Sequence, residues 1–410
     1  MPAEDPMELP HPLIPMSQAP LTTREGWREW VLHTPAKVEM KTEKEWQALN
    51  QRERRLYDQL RLDAHADLGP IRTQQVQGII DELELLTSVN RSKQSGARTG
   101  AVIDAQGSAG KTTILKMSGR SYERELREDY GWGLTVPRTA SPSFAGLSME
   151  GYTLSTTGEG DGAGRTLSVV PEPVAMGAEF LPVAYITVPA KCTMKTLAAS
   201  GCNFYGVPIS TTRSNTEDLV EAFVRAAIAC ATSLIIVDDV HFLQMTNQSN
   251  RDVNNLLKEL ANKIPATFVY AGIGCERSGL FSEGRAVKDL GLSQTSTRFM
   301  LLPLRSSEIE TAEGRKNWQS ILRTLESKLY LHGAYDGMLC QDLVEYLYER
   351  SNGVMGSLTE LLRRGAALAI KESKGKRPEV LTTSLLDRVR VDYYAQSSED
   401  ISPSSRRRRR

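Results

Sequence analysis

A lysine and two threonines open an apolar-patterned helix, directly after a glycine-bearing loop and a short apolar strand. Residues 105–112 read A-x-x-x-x-G-K-T, which departs from the phosphate-loop pattern G-x-x-x-x-G-K-[ST] only at Ala105. Gly107 and Gly110 let the backbone turn, so that N–H groups from Gly107, Ser108, Ala109, Gly110, Lys111, Thr112 and Thr113 can face phosphate oxygens. The helix opening at Lys111 adds the positive end of its dipole. In this reading Lys111 reaches the β- and γ-phosphates of ATP and Thr112 ligates Mg²⁺. A Gly/Ser connection between strand and helix is the bland alternative for the same residues.

Such a loop needs an acidic partner on another strand. Leu234, Ile235, Ile236 and Val237 form an apolar run that ends in Asp238 and Asp239. As a buried parallel strand this run carries Asp238 to the C-terminal edge of a sheet, where it can hold Mg²⁺ or its water shell. Asp239 is then the group that orients or deprotonates the attacking water. Asp is one methylene shorter than the Glu common at this position, which points to slow, regulatory turnover. His241 reads as a loop histidine, since the metal chemistry already has its carboxylates.

The elements that must position these groups alternate between strand and helix. Strands are expected at 101–104, 183–188, 234–238 and 266–271, with helices from Lys111, near 216–231 and near 251–261. That order argues an α/β fold, a parallel sheet with helices on both faces. Before it, a capping box at Thr42 and Glu45 starts a helix whose face carries Trp46, Leu49, Leu56, Tyr57 and Leu60, and a second helix runs over about 73–90. After Leu304 the pattern is helical, near 312–331, 340–349, 357–370 and 383–394. The expected organisation is a Pro-rich arm at 1–20, a helical segment at 21–97, an ATPase core at 98–304, a helical lid at 305–395 and a basic tail at 396–410. Glycines among Ser and Thr at 151–166 mark a flexible insertion over about 133–180.

At 410 residues and 40% hydrophobic content the chain can bury a large core. Fifty basic side chains balance fifty acidic ones, but five of the former are Arg406 to Arg410, so any nucleic-acid surface on the body must be a local patch. Five cysteines without C-x-x-C spacing fit reduced thiols in a cytoplasmic protein. No apolar run is long enough to span a bilayer, and no membrane partner is expected.

With both nucleotide motifs placed, the chain resembles the AAA+ ATPases, and more closely the TniB/TnsC/MuB-type transposition ATPases, including actinobacterial relatives. The stretches that carry this are 20–27 (PLTTREGW), 69–73 (GPIRT), the two motifs, 268–274 (FVYAGIG), 297–299 (TRF) and 353–358 (GVMGSL). The resemblance implies a P-loop AAA+ core with a C-terminal helical lid. It also implies ATP-dependent self-assembly on duplex DNA and delivery of a target site to a DDE/integrase-like transposase. By the same resemblance Arg298 is the arginine inserted into a neighbouring subunit's ATP site, although a surface arginine at a strand start has the same appearance. The sensor segment 272–275 offers no amide or hydroxyl side chain, and the lid position near Gly356 holds Ser357, with Arg363 and Arg364 following.

Lys191 and Lys195 are the first candidates for DNA contact, because they follow the second strand at the edge where parallel sheets meet ligands. Arg363, Arg364, Lys371, Lys374, Lys376 and Arg377 form a second basic group, and each of these residues also fits an ordinary solvated helix face. No base-reading motif is present, so backbone binding without sequence preference is the expected mode. A nucleotide-switched signalling protein and a helicase-loader-type NTPase are the alternatives.

Overall fold

The computed structural model describes residues 19–34, 38–66, 68–93, 98–131, 135–136, 152–155, 168–171, 178–189, 192–209, 214–240, 248–275, 298–374 and 377–390. The N-terminal helices are α1 (Arg24–Leu32), α2 (Glu43–Ala48), α3 (Gln51–Ala66) and α4 (Gln74–Arg91). Next come β1 (Gly100–Ala105) and α5 (Lys111–Tyr130), then β2 (Thr135–Val136), β3 (Tyr152–Ser155), β4 (Ser168–Pro171) and β5 (Ala178–Glu179). The remaining core elements are β6 (Val183–Thr187), α6 (Met194–Phe204), α7 (Thr216–Ala229), β7 (Leu234–Asp238), α8 (Gln248–Lys263), β8 (Thr267–Gly272) and β9 (Phe299–Leu304). The C-terminal helices are α9 (Ala312–Glu326), α10 (Val344–Ser351), α11 (Met355–Ser373) and α12 (Thr383–Leu386).

Five strands form one sheet in the order β6-β7-β8-β1-β9, all parallel. Buried on both faces, β1, β7 and β8 read as near-continuous apolar runs, as strands between two helix layers must. Helices α1, α4 and α5 pack together, and α6, α7 and α8 form the other group, so the sheet is covered on both sides. The order places β8 between the strand that feeds the phosphate loop and the strand that ends in Asp238. Both loops therefore open at one edge, one strand apart.

A second core joins α9, α10 and α11 and takes in Leu68 and Ile71 from the N-terminal region. The N-terminal helices divide between the two cores. Trp27 and Val31 of α1 belong to the sheet core, whereas α3 packs on α11. Arg61 of α3, fully buried, pairs with Glu379 at 2.5 Å and with Asp58 at 2.6 Å, and the other Glu379 oxygen accepts from Ser373 at 3.1 Å. Around this pair His332 stacks on Trp46 with ring centroids 4.2 Å apart and meets the Tyr57 hydroxyl at 3.1 Å.

Several elements differ from the sequence reading. The helix expected to run on from Thr42 breaks after Ala48, because Leu49 is extended and Asn50 starts a second cap. The Asn50 side chain accepts from the Arg52 and Glu53 N–H groups, while Glu53 accepts from the Asn50 N–H at 2.9 Å. The face that α3 buries is then Tyr57, Arg61 and His65, with Leu60 exposed. Helix α6 is an element the sequence reading does not contain; its Thr193 capping box and the apolar Leu197, Ala198 and Phe204 account for it. Helix α10 starts at Val344 and not at Cys340, since the Glu326 carboxylate takes the Gly337 and Leu339 N–H groups into a turn. Within the glycine-rich insertion, β2 pairs with β5 and β3 with β4, both antiparallel. Residues 1–18 and 391–410, which hold most of the Pro-rich arm and all of the arginine tail, lie outside the described residues.

Candidate functional site

The phosphate loop leaves β1 at Ala105 and turns into α5 at Lys111. Two residues make the turn possible. Gly110, the N-cap of α5, has φ 100°, a conformation that costs glycine little and other residues much, and Ser108 takes φ 57°. The Lys111 ammonium folds back onto the loop and donates to the carbonyls of Gln106 at 2.8 Å and Ala105 at 3.2 Å. Burial lowers its pKa, against an opposing pull from Asp238 and Asp239. A phosphate would relieve that desolvation directly by supplying the negative partner.

Asp238 sits at the C-terminal end of β7, 1% exposed. Its Oδ2 accepts from the Thr112 hydroxyl at 2.7 Å and the Tyr185 hydroxyl at 2.8 Å, and its Oδ1 from the Asp239 N–H at 2.8 Å. A hydroxyl and a carboxylate side by side are hard oxygen donors of the kind Mg²⁺ prefers, with room needed for waters and phosphate oxygens to complete the shell. The residues present fit that ion. Asp239 follows in the left-handed region at φ 62°, half-buried, so its side chain leaves the strand direction. Lys111, Thr112, Asp238 and Asp239 therefore gather at one edge of the sheet.

Arg298 lies at the other end. Its carbonyl accepts from the Gly100 N–H at 2.8 Å, and its guanidinium donates to Asn262 at 2.9 Å. The register pairs Gly100 with Phe299 and Ala105 with Leu304, so the length of β1, about 17 Å at 3.3 Å per residue, separates Arg298 from its own phosphate loop. Lys195 is half-buried in the first turn of α6, beyond the C-terminal edge of β6. Lys191 and His241 lie outside the described residues. Arg363 pairs with Glu360 and lines a cleft beside the phosphate loop, while Arg364 donates to the Arg390 carbonyl at 2.7 Å.

That cleft, about 1220 Å³, runs between the sheet core and the lid. Pro70, Ile71, Ala109, Thr113, Met355 and Thr359 line it, so the two stretches 69–73 and 353–358 face each other across one space. Its apolar walls next to a phosphate loop suit a nucleobase. The segment after β8 runs beside the phosphate loop, with Ile273 next to Gly107. Cys275 is buried there, within electrostatic reach of Asp104 and Lys111, and burial pushes its thiol up to about 12, so it stays neutral.

Tyr185, whose hydroxyl donates to Asp238, joins the candidate site and is missed by the sequence reading. The signal available is one tyrosine among Val183, Ala184 and Ile186 in the strand next to the acidic strand. Burial, with Asp238 adding to it, raises the phenol pKa, so the hydroxyl remains a donor.

Residues 93–277 match the family model described as an AAA domain. The parallel sheet, helices on both faces and phosphate loop are those of a P-loop AAA+ fold. No curated protein sequence matches the chain. Among solved structures, the chain is similar to the Aeropyrum pernix ORC1 protein in complex with DNA, at 13% identity and a TM-score of 0.49, over 80% of this chain and 66% of that one. It is also similar to the Aeropyrum pernix ORC2 protein in its ADPNP-ADP complexes, at 14% identity and a TM-score of 0.46, over 79% of this chain and 68% of that one. The Drosophila ORC bound to AT-rich DNA and Cdc6 is similar at 9% identity and a TM-score of 0.39, over 92% of this chain and 51% of that one. The chain thus spans about two thirds or less of the length of these three proteins. Among the described residues, no helix is long and apolar enough to cross a membrane.

Proposed function

We propose that this protein is an ATP-binding AAA+ ATPase that assembles on duplex DNA without sequence preference and regulates or recruits a DDE/integrase-like transposase. The observation that carries the nucleotide part is the hydrogen bond from Thr112 to Asp238 at 2.7 Å, with Lys111 and Asp239 beside it. The loop amides and Lys111 would hold the phosphates, the cleft lined by Pro70 and Ile71 would take the adenine, and Thr112 and Asp238 would hold Mg²⁺. The ion, when bound, neutralises charge on the β- and γ-phosphates. Asp239 would orient the attacking water and accept its proton, and Arg298 would serve the site of an adjoining subunit.

The transposition part rests on the sequence resemblance, and the DNA part on Lys195 beyond the C-terminal edge of β6 and on Lys191, four residues before it in sequence, together with the lack of a base-reading motif. Binding of random duplex DNA with and without ATP, at several salt concentrations, tests it. Binding should require ATP, ignore sequence and fall steeply with salt. Replacing both lysines by alanine should flatten the salt slope by roughly one unit for each DNA phosphate left without its lysine. Deleting Arg406 to Arg410 is the control for simple polyanion attraction. Binding that ignores ATP and vanishes with the tail would overturn the DNA reading in favour of a nucleotide-switched protein that acts without DNA.

A further inference from the structure

Asp238 is held by three donors, and only two of them belong to the nucleotide motifs. The third is Tyr185. The register pairs Tyr185 with Ile236 and Thr187 with Asp238, so Tyr185 is the diagonal neighbour of Asp238 on the same face of the sheet. An aromatic side chain can span that diagonal, and the tyrosine hydroxyl does so, ending 2.8 Å from Oδ2. With Asp239 holding Oδ1 and Tyr185 and Thr112 holding Oδ2, both ends of the carboxylate are fixed against rotation.

Strand β6 is an edge strand, and Tyr185 has its own brace. The Trp27 indole of α1 stacks on its ring, with centroids 5.7 Å apart and planes 9° from parallel. Trp27 Nε1 donates to Glu123 at 2.7 Å, and Glu123 is paired with Arg127 at 2.7 Å. A buried tryptophan, a buried ion pair and a phenol thus form a continuous chain from α1 and α5 to the carboxylate.

We propose that Tyr185 is a positioning residue that sets the orientation of Asp238 for Mg²⁺, with Trp27 as its brace; this deepens the ATPase reading and rests on it. A partner in this position acts through the ligand, and losing such partners typically lowers metal affinity by 10–100-fold. The residue does not touch nucleotide in this scheme. Its removal should therefore change metal dependence and leave metal-free nucleotide binding alone.

Titrating the full-length protein with a fluorescent ATP analogue at graded Mg²⁺ tests this. In Tyr185→Phe, which keeps the ring on Trp27, half-saturation by Mg²⁺ should rise roughly tenfold while Mg²⁺-free nucleotide affinity stays at the wild-type value. Trp27→Phe should move half-saturation in the same direction by less. Tyr205→Phe is the control: it loses a buried hydroxyl that bonds Thr232 at 2.8 Å, and should shift neither quantity. Unchanged Mg²⁺ half-saturation in both test variants, or an equal fall in Mg²⁺-free and Mg²⁺-bound affinity, would overturn the proposal. Wild-type protein that binds no nucleotide, or binds it without regard to Mg²⁺, would overturn the ATPase reading itself and this proposal with it.

Discussion

The Gly356 N–H, in the first turn of α11, donates to the Ser108 carbonyl of the phosphate loop at 2.8 Å. No side chain stands between lid and loop at this point, and a Cβ on Gly356 would lie 2.6 Å from the Ser108 oxygen. Ser108 is itself in a left-handed conformation. A ligand that reorders the loop therefore changes the seat of the lid, and a lid that lifts releases the loop carbonyl. The two parts bias one equilibrium.

Gly356→Ala should weaken nucleotide binding. The methyl group collides with backbone, which cannot swing aside as a flexible side chain would, and overpacking of this kind costs about 1–3 kcal/mol. Nucleotide affinity should fall by roughly tenfold as the lid is displaced. The lid's own core, built on Trp318, Leu322, Leu347 and Leu361, should stay folded. Nucleotide titration paired with limited proteolysis reads both effects. Wild-type affinity in the variant would show that this hydrogen bond does not link lid and loop.

Lys111→Ala should abolish ATP binding while the protein stays folded, because the loop amides cannot replace a point charge at the β- and γ-phosphates. Asp239→Asn should keep ATP bound and slow its turnover by roughly 100-fold or more, since an amide cannot accept the proton. Asp238→Asn should instead weaken Mg²⁺ binding and raise the Mg²⁺ concentration needed for half-maximal turnover. Steady-state hydrolysis at graded Mg²⁺ separates the two carboxylates. Identical profiles with turnover intact in Asp239→Asn would refute this division of roles.

The gathering of the candidate site residues at one sheet edge was legible because backbone chemistry dictates it. A phosphate loop needs glycine where φ is positive, as at Gly110, and a buried strand needs a run such as Leu234 to Val237 before its carboxylate. The signals that failed are local ones outweighed by tertiary packing. Leu56 and Leu60 read as the buried stripe of α3, yet the lid offers a buried carboxylate, Glu379, and the helix turns Arg61 toward it. The single tyrosine of β6 stands out in the sequence, but its bond to Asp238 is not legible there, for a related reason. Its role depends on a register between two strands and on a tryptophan from α1, 158 residues earlier in the chain than Tyr185 itself, and no local spacing encodes either. The bond between Gly356 and Ser108 is likewise backbone to backbone.

Stability should fall as the solution becomes acidic, with His65 a main cause. Burial, reinforced by the positive charge of Arg61 and opposed by Glu379, holds its pKa down at about 4, and its Nε2 accepts the Tyr330 N–H at 2.8 Å. The folded pKa lies below the ordinary value of 6.5, so the unfolded chain binds the proton first. The stabilisation is present above about pH 6.5 and is lost progressively toward pH 4, by about 3 kcal/mol in all. His332, shifted in the same direction by burial and Arg61, adds to the trend. Melting temperatures measured from pH 7.5 to 4.5 should drop through this window, and His65→Gln, whose amide oxygen can accept the same N–H, should flatten the curve. A wild-type profile that stays flat would contradict the assignment.

Arg298→Ala should spare nucleotide binding by one subunit and impair hydrolysis in the assembly. The residue sits at the start of β9, tied to Asn262, at the end of the sheet opposite to Lys111. The length of β1, about 17 Å, is more than one arginine side chain can cover, so Arg298 cannot meet the phosphates bound in its own subunit. If it acts in catalysis, its target belongs to a neighbour, where a guanidinium on the γ-phosphate is worth roughly 10³-fold or more in turnover. Mixing distinguishes this from a structural role. An Asp239→Asn subunit keeps Arg298, and an Arg298→Ala subunit keeps Asp239, so an interface that joins the two can combine both intact halves. Hydrolysis should recover partly when the inactive variants are mixed and peak near equal amounts. Absence of rescue at every ratio, with both variants still assembling, would place Arg298 outside the catalytic interface and leave it as a tether between β9 and α8.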